Sequence, residues 1–213
     1  MFLEYYLILN RKLVTLTNPP VPATWKTGDR DILIIPGLHE QWIGLKKIGN
    51  IANTLGFKIH VVTELGNNTA SVQSGVSIIK QYISHHDLHD LTLITHSKGG
   101  IIGSYLLGDK EIGLKIRKLV TIACPFHGSY LARAFKVSYE LLPKTPCIEN
   151  ATKGIDTSKV LNLYPAFDNH VVPNKSLTLE GATNIKIDVI GHTRIEESAK
   201  TIEEIIHALN YSQ

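Results

Sequence analysis

The stretch from residue 90 to 107, DLTLITHSKGGIIGSYLL, leaves this chain few folds to choose from. Residues 91–95 form an apolar run rich in β-branched side chains, the pattern of a strand buried on both faces. From Lys98 onward, Ile101, Ile102, Tyr105 and Leu106 recur at helical spacing. Only Thr95-His96-Ser97-Lys98-Gly99-Gly100 lies between, so the chain must turn from strand to helix within about four residues. A turn that tight pushes its central side chain, Ser97, out at the end of the sheet in a strained backbone. It needs small residues two positions away; Gly99 supplies one, and Thr95 stands at the other. The amides that open the helix face the space before Ser97, where they favour negative charge. A glycine-rich turn between a core strand and a core helix is the plain alternative, and only partners elsewhere in the chain can decide between them.

The rest of the chain repeats the strand–helix alternation. Apolar strands are expected at residues 31–37, 58–63, 117–123, 160–164 and 185–190. Helices are expected at 40–55, with Ile48, Ile51, Ala52 and Leu55 on one face, and from Ser71, with Val72, Val76, Ile79 and Ile83. Residues 129–142 have helical spacing at Leu131, Phe135 and Leu142. A last helix at 194–209 turns Ile195, Ala199, Ile202, Ile206 and Leu209 inward. Six strands joined by helices imply an α/β fold, with a mostly parallel sheet covered on both faces. The 213 residues, 43% hydrophobic and 19% charged, suit one such domain over residues 1–213.

A net charge of +3, with Lys and Arg scattered, gives no case for nucleic acid, and no run is long enough to span a membrane. Residues 1–9 are apolar but carry Glu4 where a signal peptide wants positive charge. They read as an edge strand or docking segment, within an arm of residues 1–30, of a cytoplasmic protein. Cys124 and Cys147 have no metal-ligand spacing and read as free thiols in a reducing compartment. The run His85-His86-Asp87-Leu88-His89 sits at the amino-terminal edge of the sheet and lacks a closed ligand set, so no metal is assigned.

Reactive groups of a parallel sheet gather at the carboxyl ends of its strands. After the first strand comes Pro36-Gly37-Leu38, either a simple turn or a loop that offers the Leu38 amide to the site. After the fifth comes Asp168, followed by Asn169-His170-Val171-Val172-Pro173; its carboxylate is either a turn former or an acceptor for an imidazole. After the last comes Gly191-His192. Of the histidines that follow Asp168, His170 is two residues away, His207 lies deep in the final helix, and His192 occupies a strand-end loop. The order Ser97, Asp168, His192 matches a known hydrolytic arrangement.

These segments together resemble the α/β-hydrolase superfamily, in its esterase/lipase-like branch, from about residue 31 to the carboxyl terminus. Cys124-Pro125-Phe126-His127-Gly128-Ser129 also resembles a Pro-His-x-Gly-Ser segment of bacterial lipases, with His127 displaced by one position. Thr95 replaces the first glycine of the nucleophile turn. The chain is short for the family, so its early antiparallel strands are expected to be reduced or absent.

The resemblance implies a serine hydrolase that cleaves carboxylic esters of small-molecule substrates. Ser97 would be the nucleophile, His192 the base and Asp168 its partner, with the amides of Leu38 and Lys98 as oxyanion hole and no cofactor. The Lys98 side chain is expected at solvent or the pocket rim. Residues 129–158 lie where the superfamily inserts its lid, and Tyr130, Leu131, Phe135 and Leu142 there, with Phe126 before them, are candidate substrate contacts. A thioesterase, acyltransferase, amidase or peptidase would use the same groups, and a non-catalytic binder on this fold is the alternative of another class.

Overall fold

The computed structural model describes residues 2–17, 19–134 and 136–210. Six strands form one sheet: β1 (Arg30–Ile35), β2 (Phe57–Val61), β3 (Leu91–His96), β4 (Ile116–Ile122), β5 (Val160–Phe167) and β6 (Thr183–Ile190). Their spatial order is β2-β1-β3-β4-β5-β6, and every pairing among the described residues is parallel. The central strand β3 is buried along its whole length because both of its faces are covered.

The two-residue period of a strand sends alternate side chains into two cores. Leu33, Ile35, Leu91, Leu93 and Leu119 point to one face, against α3 (Val72–His85) and α4 (Lys98–Leu107). Ile32, Ile34, Ile94, Val120 and Ile122 point to the other, against α2 (Lys46–Thr54) and the carboxyl-terminal helix. Ser71 caps α3, accepting a hydrogen bond from the amide of Ser74. Trp25, fully buried, packs edge-on to Trp42 with ring centroids 5.3 Å apart and donates its indole N–H to Asn50. Burial of a side chain that large contributes upward of about 2 kcal/mol.

Four expectations are corrected. Residues 1–9 are not a strand: Phe2–Leu16 is a helix, α1. It docks through Glu4, 1% exposed, and leaves Leu3, Tyr5, Tyr6, Leu9 and Leu13 exposed. Hydropathy misreads it because Glu4 and Arg11 share the inward face with the half-buried Leu7, Ile8 and Val14, while other apolar side chains face outward. Residues 129–142 form two 3₁₀ segments, Tyr130–Ala134 and Lys136–Leu141, rather than one α-helix; Phe135 lies outside the described residues. The last helix breaks at Ser198 into α7 (Arg194–Glu197) and α8 (Ala199–Asn210), following the short α5 (Ile112–Lys115) and α6 (Pro146–Ala151). The break shifts the helical phase, so Ala199 faces solvent while Ile205 and Leu209 are buried. Finally, Lys98 is fully buried rather than at solvent or a rim. No described helix is long and apolar enough to cross a membrane. Cys124 and Cys147 are free, the first buried.

Candidate active site

Ser97 follows the last residue of β3 and precedes the first of α4, with φ 50° and ψ −120°. A non-glycine residue there costs about 1–3 kcal/mol, and the surroundings hold it in place. The Ser97 amide donates to the carbonyl of Ile122 at 2.9 Å, and its hydroxyl does not cap the helix it precedes. Gly99 is required at the turn, since a Cβ there would collide with the carbonyl oxygens of Ile35 and Pro36. Thr95 is accommodated because its hydroxyl donates to the carbonyl of Val120 at 3.1 Å. The amides of Lys98 and Gly99 open α4 ahead of its first hydrogen bond, in which the Gly100 amide donates to the carbonyl of Ser97 at 2.9 Å.

Asp168 and His192 are brought together. The Nδ1 of His192 lies 2.7 Å from Oδ2 of Asp168, both residues being buried. The other carboxylate oxygen accepts from the amides of His170 at 2.7 Å and Val171 at 2.9 Å. Burial pushes the Asp168 carboxyl up, but the His192 ring and these two amides win and hold it below its ordinary value. Asn174 closes the loop, its carboxamide bonding the Asp168 amide and the carbonyls of Asp168 and Val171. An acceptor so held keeps the imidazole in the tautomer that leaves Nε2 free to take a proton. His170 lies across the His192 ring, with centroids 4.8 Å apart. The Ser97 hydroxyl makes no hydrogen bond to His192 among the described residues. The link between the serine turn and the histidine loop runs instead through His96, whose ring is 4.7 Å from that of His192 and whose Nε2 lies 3.2 Å from its carbonyl oxygen.

Leu38 sits half-buried in a turn at the end of β1. The turn is closed by the Glu40 amide, which donates to the carbonyl of Gly37 at 3.3 Å, while the Glu40 carboxylate accepts from the Gly37 amide at 2.9 Å. Phe126 is 1% exposed and packs in the core with Leu141 and Ile148, whereas Tyr130 and Leu131 are exposed. Their segment is stitched to the Asp168 loop: the Ser129 hydroxyl donates to the carbonyl of His170 at 2.8 Å, and the Tyr130 amide to that of Val172 at 2.8 Å. A cavity of about 350 Å³ opens over the carboxyl ends of β1 and β2, lined by Val21, Ile34, Pro36, Trp42, Val61 and Val62 among others.

A group of buried charges was not anticipated. His96 Nδ1 lies 2.7 Å from Glu40 and 3.7 Å from Glu196, and Arg11 pairs with both Glu196 and Glu197. Burial lowers the His96 pKa, but Glu196 and Glu40 overcome it and raise the group to about 9. Glu40, pushed up by burial, is pulled down to about 2 by His96 and Arg11. Glu40, His96 and Glu196 bring three possible metal-ligand atoms within 4.8 Å of one another. An imidazolium and a guanidinium face these two carboxylates, but Arg11 is shared with Glu197 and the buried Oε1 of Glu196 has no hydrogen-bond partner, so burial raises the Glu196 pKa.

The six-stranded parallel sheet with helices on both faces matches that of solved α/β-hydrolases. A monoacylglycerol lipase from Paleococcus ferrophilus superposes with a TM-score of 0.60 at 17% identity, covering 85% of this chain and 94% of that one. A lipase from Bacillus licheniformis gives 0.58 at 19%, covering 90% and 94%. An extracellular α/β-hydrolase from a Paenibacillus species gives 0.60 at 14%, covering 85% and 98%. No protein-family model and no curated protein matches the chain. At these identities the likeness establishes the fold.

Proposed function

We propose that the protein is a serine hydrolase of carboxylic esters. The observation that carries this reading is the 2.7 Å contact between His192 Nδ1 and a carboxylate held by two amides, beside a serine at φ 50°. Ser97 attacks the ester carbonyl as His192 Nε2 takes its proton, and Asp168 stabilises the imidazolium that forms. The amides of Leu38 and Lys98 receive the oxyanion, each donor lowering the barrier by about 3 kcal/mol. The imidazolium returns its proton to the leaving alkoxide. Water activated by His192 then cleaves the acyl-enzyme and frees the acid. The Ser97–His192 hydrogen bond closes on substrate binding, since catalytic hydrogen bonds are often long in the resting state and tighten in the substrate complex. Esters and lipids are also the substrates that the names of several fold neighbours imply.

Residues 129–158 act as a small cap, from which Tyr130 and Leu131 meet the substrate, and so short a cap suits a short acyl or alkoxy group. A fluorophosphonate probe tests the reading. The wild-type protein is expected to be labelled and Ser97→Ala is not; a folded wild-type protein that resists labelling would sink it. A p-nitrophenyl ester series is expected to peak at short acyl chains.

A further inference from the structure

Helix α1 has no counterpart in the chemistry above, yet it reaches the histidine loop. The Glu4 carboxylate is 1% exposed and spends both oxygens on that loop, accepting from the amide of Thr193 at 2.8 Å and of Arg194 at 3.0 Å. These are the two residues that follow His192. On the other side, Gly191 adopts φ 123°, and a Cβ there would collide with the same carboxylate. Glu4 therefore packs against both chain neighbours of His192. Two turns further along α1, Arg11 holds α7, the helix that continues from this loop, through Glu196 and Glu197.

The remaining holds on the His192 backbone come from elsewhere. Its amide donates to Asn169 at 3.0 Å, and its carbonyl lies 3.2 Å from His96 Nε2. Among the described residues, only the Glu4 contact comes from a segment outside the sheet and its strand-end loops.

We infer that Glu4 is a positioning residue for His192: its carboxylate fixes the two amides after the histidine and so sets where the imidazole stands relative to Ser97. This rests on the reading of Ser97 and His192 as nucleophile and base. A buried carboxylate shared by two adjacent amides is a stiff, charge-assisted anchor. Misplacing a catalytic group by about 1 Å costs up to about 100-fold in rate. Removing Glu4 frees the loop without touching Ser97, Asp168 or the ester pocket, so the effect falls on kcat rather than KM.

The test compares Glu4→Ala, Glu4→Gln and Leu9→Gln with wild type, by fluorophosphonate labelling rate and by p-nitrophenyl butyrate hydrolysis normalised to active sites. Glu4→Ala is expected to lose at least about tenfold in kcat and in labelling rate with KM within about twofold. Its pH–rate profile is expected to shift, because the imidazole no longer sits squarely on Asp168. Glu4→Gln keeps one acceptor and is expected to recover a large part of the rate. Leu9→Gln, on the exposed side of the same helix, is expected to match wild type. Folded Glu4→Ala that labels and turns over like wild type overturns the inference and leaves the Ser97 reading intact. If Glu4→Ala does not fold, the same criterion applies to Glu4→Met, which fills the buried space without offering an acceptor. Absence of labelling in the wild-type protein overturns both.

Discussion

The residues on either side of Ser97 make an instructive pair. His96 and Lys98 are both basic and both 0% exposed, and they run to opposite sides of the sheet. His96 meets two carboxylates, Glu40 and Glu196, together with Arg11, and its ring lies against that of His192. Lys98 meets one carboxylate, Glu140 at 3.3 Å, and the backbone carbonyls of Asn68 and Ala70. Glu140 belongs to the segment between β4 and β5, and its carboxylate also accepts from the Val72 amide that opens α3, at 2.9 Å. One flank of the serine is therefore wired to the histidine loop and α1, the other to residues 129–158. The difference lies in how each charge is compensated: by other buried charges on the first flank, mainly by backbone dipoles on the second.

The largest effect is expected where charges alone compensate. His96→Ala leaves Glu40 and Glu196 facing each other across an empty space, with Arg11 as the remaining cation. Breaking a buried charge network by removing one member costs about 3–5 kcal/mol. Denaturant unfolding should show a loss of that size. A loss under about 1 kcal/mol would mean that water enters the gap. Lys98→Met keeps the length of the side chain and removes its charge, leaving two carbonyls and a partly exposed carboxylate to find water. A loss of about 1–3 kcal/mol is expected, below that of His96→Ala. Reversal of that order would overturn the contrast between the flanks.

The same contrast explains what could be read in advance. The strands were visible because parallel strands covered on both faces must be continuously apolar, and Leu91, Leu93 and Ile94 obey that rule. Ser97, Asp168 and His192 stood out because each follows a strand on a short loop. The charged flanks were hidden because they invert the usual expectations. Helix α1 buries Glu4 and Arg11 and exposes Leu9 and Tyr6, so its apolar residues suggested a strand or a docking surface of the ordinary kind. A lysine is almost never fully buried unless paired, and the partners of Lys98 lie about 30 to 40 residues away in the sequence. Pairings between such distant residues have no periodicity from which to infer them.

The pH dependence of stability separates the flanks by sign. His96 titrates at about 9 in the folded protein, above its ordinary 6.5, among Glu40, Glu196, Arg11 and His192. Its contribution is therefore complete below about 6.5 and is lost as pH rises through 9. Glu40, lowered from 4.5 to about 2, contributes fully above 4.5 and fails as pH falls through 2. Lys98 behaves oppositely to His96: burial, opposed by Glu140, lowers its pKa, so alkaline pH relieves a penalty there. Urea unfolding between pH 6.5 and 9 should show wild-type stability falling by at most about 1.4 kcal/mol per unit. His96→Gln should flatten that limb, and Lys98→Met should remove the relief that burial of the lysine brings as pH approaches 10.5 from below. Parallel limbs in all three proteins would show that neither group titrates as its surroundings require.

The smallest effect is expected from Glu140→Gln. The carboxamide keeps an oxygen for the Val72 amide and for Lys98, and the residue is 22% exposed, so its charge is partly screened by solvent. Lys98 keeps the carbonyls of Asn68 and Ala70 in either case. A loss below about 1 kcal/mol follows if those carbonyls carry most of the load. The effect should appear locally instead, as faster limited proteolysis within residues 129–158. The Lys98–Glu140 contact joins that segment to the serine turn, and weakening it lowers the free energy of local opening more than that of global unfolding. If Glu140→Gln costs as much as Lys98→Met, the ion pair and not the backbone holds the lysine. The two flanks of Ser97 would then be compensated in the same way, charge against charge.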